Sequence, residues 1–212
     1  MLKTRVMPCL LLRDGALVKT VKFDKFKYIG DPINAVRIYN EKEVDELIFL
    51  DISATPAKRK PDFKLITAIA SECFMPLAYG GGVSTIDDLR ELFKIGVEKI
   101  VINSYAAERP EFITEAAGIF GSQSIIISID VKKNILGKYH VCSQGGRMKL
   151  SYNPVDYAVK MQKCGAGEIF LTAIDRDGTW AGYDINLIKQ VTESVTIPVI
   201  ACGGAGRIDD FR

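Results

Sequence analysis

The stretch Gly80-Gly81-Gly82-Val83-Ser84-Thr85-Ile86-Asp87-Asp88-Leu89-Arg90 returns 122 positions later as Cys202-Gly203-Gly204-Ala205-Gly206-Arg207-Ile208-Asp209-Asp210-Phe211-Arg212. Each copy follows a short apolar run behind a proline, Pro76-Leu77-Ala78-Tyr79 in the first and Pro198-Val199-Ile200-Ala201 in the second. Each then enters a segment with helical character. Strand, glycine turn and helix together bring bare backbone amides and the positive end of a helix dipole to one point, which suits an anion. A single copy says little, because glycines also make plain tight turns. Two copies at half-chain spacing require one explanation, an internally repeated fold.

The rest of the chain fits that repeat. Val6 to Leu12 reads as a buried strand, ended by Arg13-Asp14-Gly15, and a lysine-rich loop with Lys19, Lys22, Lys25 and Lys27 follows. Asp31-Pro32 opens a helix to about Val44 by N-cap and first-turn proline. Strand Glu46–Ile52, helix Phe63–Cys73 and strand Pro76–Tyr79 lead to the first glycine turn. Beyond it come helix Thr85–Ile95, strand Lys99–Asn103, helix Pro110–Phe120 and strand Ser124–Val131. A polar insertion, Lys132–Ser151, is expected to fold as a hairpin over one end. Asn153-Pro154 starts a helix to about Cys164; strand Glu168–Ala173, a helix from Asp184 to about Glu193 and strand Ile197–Ala201 complete the sequence of elements.

Apolar strands alternating with amphipathic helices imply a parallel sheet covered by helices. Seven units in strict alternation point to an α/β fold of the (β/α)8 TIM type, a single barrel domain over residues 1–212 made of two similar half-barrels. Ile48-Phe49-Leu50-Asp51 aligns with Ile169-Phe170-Leu171-Thr172, and Pro8–Leu12 with Ile127–Val131. Since such barrels run to ~250 residues, one further strand and helix are expected after Arg212, unless a partner closes the barrel.

Composition narrows the function. A formal net charge of +2 gives no overall signal for nucleic acid or membrane, so anion binding is expected to be local. Five widely spaced cysteines, Cys9, Cys73, Cys142, Cys164 and Cys202, with no Cys-x-x-Cys, read as reduced core residues of a cytoplasmic protein. With His140 the only histidine, no metal pattern and no cofactor motif stand out. No run of eighteen apolar residues suggests a membrane span, and Met1-Leu2-Lys3-Thr4-Arg5 runs straight into strand-like sequence.

Arg5, Glu46, Lys99 and Glu168 stand at the starts of strands in this reading, so all four belong to the N-terminal end of the barrel. Charges of alternating sign there can pair as stabilising salt bridges, the usual meaning of charge at that end.

Phe49-Leu50-Asp51-Ile52, Gly80-Gly81-Gly82, Gly165-Ala166-Gly167-Glu168-Ile169, Ile174-Asp175-Arg176-Asp177-Gly178-Thr179 and Gly203-Gly204-Ala205-Gly206 together closely resemble the cyclase subunit of imidazole glycerol phosphate synthase. The resemblance covers essentially the whole chain. It implies a glutaminase partner at the N-terminal face of the barrel, whose ammonia crosses the barrel to a ribulosyl-aminoimidazole carboxamide substrate with two phosphates, a step of histidine biosynthesis. On this resemblance Gly81, Gly82, Asn103 and Ser104 hold one phosphate, and Gly178, Gly203 and Gly204 the other. Thr172 and Asp177 belong to the same substrate-binding set, Lys19 matches a mobile-loop lysine, and Arg5, Glu46, Lys99 and Glu168 match a charged ammonia gate.

Cyclisation with carbon–nitrogen cleavage needs proton transfers, which two carboxylates on opposite sides of a substrate can supply. In the family both are aspartates. Asp130 is present, but its repeat mate is Leu11 in Pro8-Cys9-Leu10-Leu11-Leu12, and leucine moves no proton. The sequence thus leaves several roles open. One is the cyclase itself. Another is a paralogue that delivers ammonia for acetamidino-sugar formation in surface polysaccharides, a branch that Cys9–Leu12 and Val18-Lys19-Thr20-Val21-Lys22-Phe23 resemble. A third is a non-catalytic ammonia conduit or scaffold. The related isomerase of histidine biosynthesis shares the two phosphate turns, but has no use for an ammonia gate.

Overall fold

The computed structural model describes residues 5–211. Met1 to Thr4, expected to lead into the first strand, and Arg212, the last residue of the repeated motif, lie outside the described residues. The chain divides into two compact units: residues through Lys19 with Lys27–Val101, and Thr20–Phe26 with the chain from Ile102 onward.

In the first unit, strand β1 (Cys9–Arg13) begins later than the apolar pattern suggests. Pro8 has no amide hydrogen to give a ladder; its carbonyl accepts from Ile48 N at 3.0 Å. Val6 N instead donates to Asp45 Oδ2 at 2.7 Å. After a turn at Asp14-Gly15 the chain doubles back as β2 (Ala16–Val21), antiparallel to β1 with Leu11 opposite Val18. Next comes β3 (Asp24–Gly30), the neighbour of β2. The expected lysine-rich loop is therefore a β-hairpin. Its turn residues Lys22 and Phe23 both take left-handed φ, 56° and 61°, the backbone of a primed hairpin turn without the Asn-Gly signature that would reveal it.

Helix α1 (Pro32–Glu41), strand β4 (Leu47–Asp51), helix α2 (Phe63–Glu72), strand β5 (Leu77–Gly80), helix α3 (Ile86–Ile95) and strand β6 (Lys99–Ile102) follow as expected, with ends shifted by a few residues. Strands β1, β4, β5 and β6 pair in parallel in that order. Phe49, Ile66, Tyr79, Leu89 and Leu92 form the buried face between strands and helices.

The second unit opens with a helix the sequence reading missed, α4 (Ser104–Glu108), before α5 (Glu111–Phe120). At five residues α4 is too short to show a hydrophobic period. Strand β7 (Ile125–Lys133) runs on into the predicted hairpin, β8 (Tyr139–Ser143) and β9 (Met148–Lys149). Helix α6 (Pro154–Lys163), strand β10 (Glu168–Ala173), helix α7 (Ile185–Thr192) and strand β11 (Val199–Cys202) complete it. Strand β10 lies parallel between β7 and β11 and is buried along its whole length, as the near-continuous apolar sequence of a covered parallel strand requires. The second glycine turn leads into a 3-10 turn, Ile208–Phe211, where the repeat suggested a helix. Parallel strands alternating with covering helices give the chain the element order of the (β/α)8 class.

The repeat extends to the caps. Asp31 Oδ1 accepts from Ile33 N and Asn34 N, and its counterpart Asn153 accepts from Asp156 N at 2.9 Å. Asp62 caps α2 through Leu65 N at 3.0 Å, as Asp184 caps α7 through Leu187 N at 3.2 Å. Asp88 Oδ2 takes Ser84 N and Thr85 N at 3.3 and 3.0 Å; Asp210 Oδ2 takes Gly206 N and Arg207 N at 2.8 and 2.9 Å. Each pair is separated by 122 positions, the spacing of the glycine turns.

Candidate functional site

In the first unit, Gly81 and Gly82 follow β5 with φ of 122° and 72°. A Cβ on Gly82 would overlap the Arg59 carbonyl, so only glycine lets the turn lie against the 54–60 segment. Gly82 N–H points at Thr55 Oγ1, 3.3 Å away. In the second unit Gly203 and Gly204 follow β11 with φ of 91° and 111°, and a Cβ on Gly204 would overlap the Gly182 carbonyl. Gly182 N donates to Gly204 O at 2.8 Å, which ties the loop after β10 to the turn. Gly178 lies in that loop, close against the Thr20 carbonyl.

Asp130 is the centre of the second unit's polar cluster. It sits near the end of β7, 7% exposed, opposite Cys142 of β8. Asn103 Nδ2 donates to Asp130 Oδ2 at 3.1 Å and to Ser128 O at 3.0 Å, and Ser128 Oγ lies 3.4 Å from Asp130 Oδ1. Burial raises the carboxyl's pKa to about 7, with Asp177 adding to the effect, while bonds from Ser128, Thr172 and Asn103 oppose it. A carboxyl poised near neutrality can both take and give a proton. Thr172, 3% exposed on β10, sits beside it. Burial also pushes the Cys202 thiol at the end of β11 up to about 12, so it is no ready nucleophile.

Asp177 is committed to the hairpin tip. Its carboxylate accepts from Thr20 Oγ1 at 2.7 Å and Phe23 N at 3.1 Å, and its carbonyl from Lys22 N at 3.0 Å. Ser104 Oγ donates to Asn103 Oδ1 at 3.2 Å and accepts from Gln144 N at 3.0 Å. Lys19 is exposed on β2 in the first unit.

The first unit also holds three of the four charges picked out at strand starts. Glu46, 7% exposed just before β4, is an ion-pair partner of Arg5 and receives Lys99 Nζ at 2.9 and 3.1 Å. Glu168, the first residue of β10 and 8% exposed, belongs to the second unit. Leu11, partly exposed, faces Val18 and lies beside Leu50.

Ser128 and Gln144 were not singled out from sequence. Ser128 is two residues before Asp130 in one strand and so on the same face, a period-two signal that was legible. Gln144 acts through its backbone amide, which no side-chain motif announces.

A parallel α/β fold whose repeated glycine turns end parallel strands, with a buried carboxylic acid on another strand, defines a protein of the (β/α)8 class. The sequence profile of the histidine biosynthesis protein family matches residues 5–212. A Pseudomonas aeruginosa protein provisionally named imidazole glycerol phosphate synthase subunit hisF2 is 50% identical over 211 residues, all of this chain and 84% of that protein. A Leptospira interrogans protein, provisionally named subunit HisF of the same synthase, is 46% identical over 213 residues, again covering 100% of this chain and 84% of its own length. The imidazole glycerol phosphate synthase subunit HisF of Alkaliphilus metalliredigens is 44% identical over 211 residues, with the same shares. The chain belongs to the histidine biosynthesis protein family.

Proposed function

We propose that this chain is the synthase subunit of an imidazole glycerol phosphate synthase-type glutamine amidotransferase, folded as one barrel domain and using ammonia from a glutaminase partner. The observation that carries the reading is Asp130, a buried carboxylic acid with a pKa of about 7 in a chain whose relatives bear the synthase name. A phosphate is taken at each glycine turn, Gly81-Gly82 and Gly203-Gly204, with Gly178, Thr172 and Asp177 near the second and Lys19 on the substrate side. Arg5, Glu46, Lys99 and Glu168 admit ammonia and meet the glutaminase.

Asp130 takes and returns the proton that moves as nitrogen adds, the ring closes and the carbon–nitrogen bond breaks. Leu11 leaves the opposite proton transfer without a side chain, so cyclisation by this chain is slow. A second reading follows from that residue: the chain conducts ammonia to another acceptor, as in acetamidino-sugar formation, and related provisional names with second and third copy numbers, hisF2 and hisF3, are compatible with such specialisation. A scaffold that only conducts ammonia would have no use for Asp130.

The deciding experiment supplies the full-length protein with ammonium and the bis-phosphorylated ribulosyl-aminoimidazole carboxamide, and follows substrate loss and product formation. Slow, Asp130-dependent turnover is expected. Turnover unaffected by Asp130→Asn would remove Asp130 from the chemistry, and fast turnover would remove the objection from Leu11.

A further inference from the structure

We propose that Asn103 is a positioning residue for Asp130, and that with Ser104 it links that carboxylate to the turn between β8 and β9. The resemblance implies phosphate contacts for both residues, yet their side-chain donors are already spent. Asn103 Nδ2 carries two hydrogens, and they go to Ser128 O and Asp130 Oδ2 at 3.0 and 3.1 Å. The reversed amide would set its oxygen against two acceptors, so the chemistry of the neighbours fixes the orientation. The amide oxygen then accepts the Ser104 hydroxyl hydrogen at 3.2 Å, and that hydroxyl accepts Gln144 N–H at 3.0 Å. The bonds run in one sense, Gln144 to Ser104 to Asn103 to Asp130. Each donor is polarised by the bond before it, and in a buried site such a chain acts as a unit.

Asp130 is where such a chain has most effect. The polar and titratable groups that bear on it are Thr172 on β10, Cys142 opposite it on β8, Asp177 after β10, Cys202 on β11 and Tyr157 on α6. Asp177 disfavours ionisation and burial does so more strongly, whereas the bonds from Ser128, Thr172 and Asn103 favour it. Asn103 is thus a lever on the proton affinity, and the position of the β8–β9 turn is felt at the carboxylate. A phosphate arriving at 103–104 either rests on backbone amides or takes a donor away from Asp130, raising its proton affinity as substrate binds. That catalytic consequence rests on the reading of Asp130 as an acid/base. The linkage itself does not, so the two fail separately.

The test is the titration of the Asp130 carboxyl carbon by NMR in ligand-free full-length protein, assigned with Asp130→Asn. Asn103→Ala is expected to move the midpoint upward by about one unit, the scale of a lost hydrogen bond to a carboxylate. Ser104→Ala should move it upward by less, Ser104→Thr should restore it, and Ser104→Ala should add nothing in the Asn103→Ala background. Residues kept only as phosphate ligands would leave the ligand-free midpoint unmoved, and independent contacts would give additive shifts; either result overturns the proposal. If Asn103→Ala does not fold, the Ser104→Ala and Ser104→Thr pair decides: a shift restored by threonine supports the linkage, and no shift overturns it.

Discussion

Asp130 is a costly residue for the folded chain. Its carboxyl ionises near 3.8 when free in solution and near 7 in the fold, chiefly because burial opposes the charge. Below the lower value both folded and unfolded chains hold the proton, and the neutral carboxyl's contribution is fully present. Between the two values the unfolded chain releases its proton while the folded chain keeps it. The unfolded state then binds fewer protons, so stability falls as pH rises and the contribution is lost once the pH passes about 7. Asp130→Asn keeps the shape and removes the charge. We expect it to be more stable than the parent at pH 8, on the order of 2–4 kcal/mol, with no advantage at pH 4. Melting temperatures of both proteins across that range check this; a gap independent of pH would mean that Asp130 is ionised without penalty. A group retained at such a cost suits proton transfer better than a structural role.

At the scale of elements, the caps show how a repeated sequence builds repeated joints. Asp88 lies 2% exposed under the start of α3, receives two amides and meets Lys60 Nζ at 3.3 Å, and Thr85 caps Asp88 N in return. In the second copy Arg207 replaces that threonine, and Asp210 Oδ2 takes the amides of Gly206 and Arg207. Asp88→Ala would leave two amides at the helix start without their acceptor; the expected cost is about 2 kcal/mol, read as a lower urea midpoint with unchanged slope.

These joints also explain what the sequence made legible. Period and punctuation were enough for the β4–α2–β5–α3 run, where Asp62 and Thr85 mark helix starts and Leu89 and Leu92 recur at helical spacing. They failed at β2–β3, where lysines occupy the outer face and the turn uses Lys22-Phe23 instead of Asn-Gly. They failed again at α4, five residues long. Asp130 was legible as one half of a repeat. Its setting was not, because Asn103, Ser104 and Gln144 reach it across strands and through a backbone amide.

For the whole molecule, the two halves have kept different parts of a common plan. Both retain the glycine turn after a parallel strand, and both retain an acidic residue beneath it, Asp88 and Asp210. Strand ends have diverged: Asp130 has Asn103, Ser128 and Thr172 to hold its charge, while Leu11 has Val18 and Leu50. A carboxylate placed at Leu11, a partly exposed position between two apolar neighbours, gives up part of its hydration, and its pKa should rise above the ordinary aspartate value. Leu11→Asp is expected to lower stability near neutral pH by about 1–3 kcal/mol. If the rest of the substrate site is intact, it should also raise ammonium-dependent cyclisation by about 10²-fold or more, the usual return for a positioned acid or base. The measurement is the single-turnover rate with saturating ammonium, for the parent, Leu11→Asp and Leu11→Asn. Asparagine matches the size and polarity but titrates nothing, so a gain shared by both variants would be a packing effect. A gain confined to aspartate would identify position 11 as the missing proton-transfer site. No gain from a folded Leu11→Asp protein would shift the balance to delivery of ammonia to another acceptor.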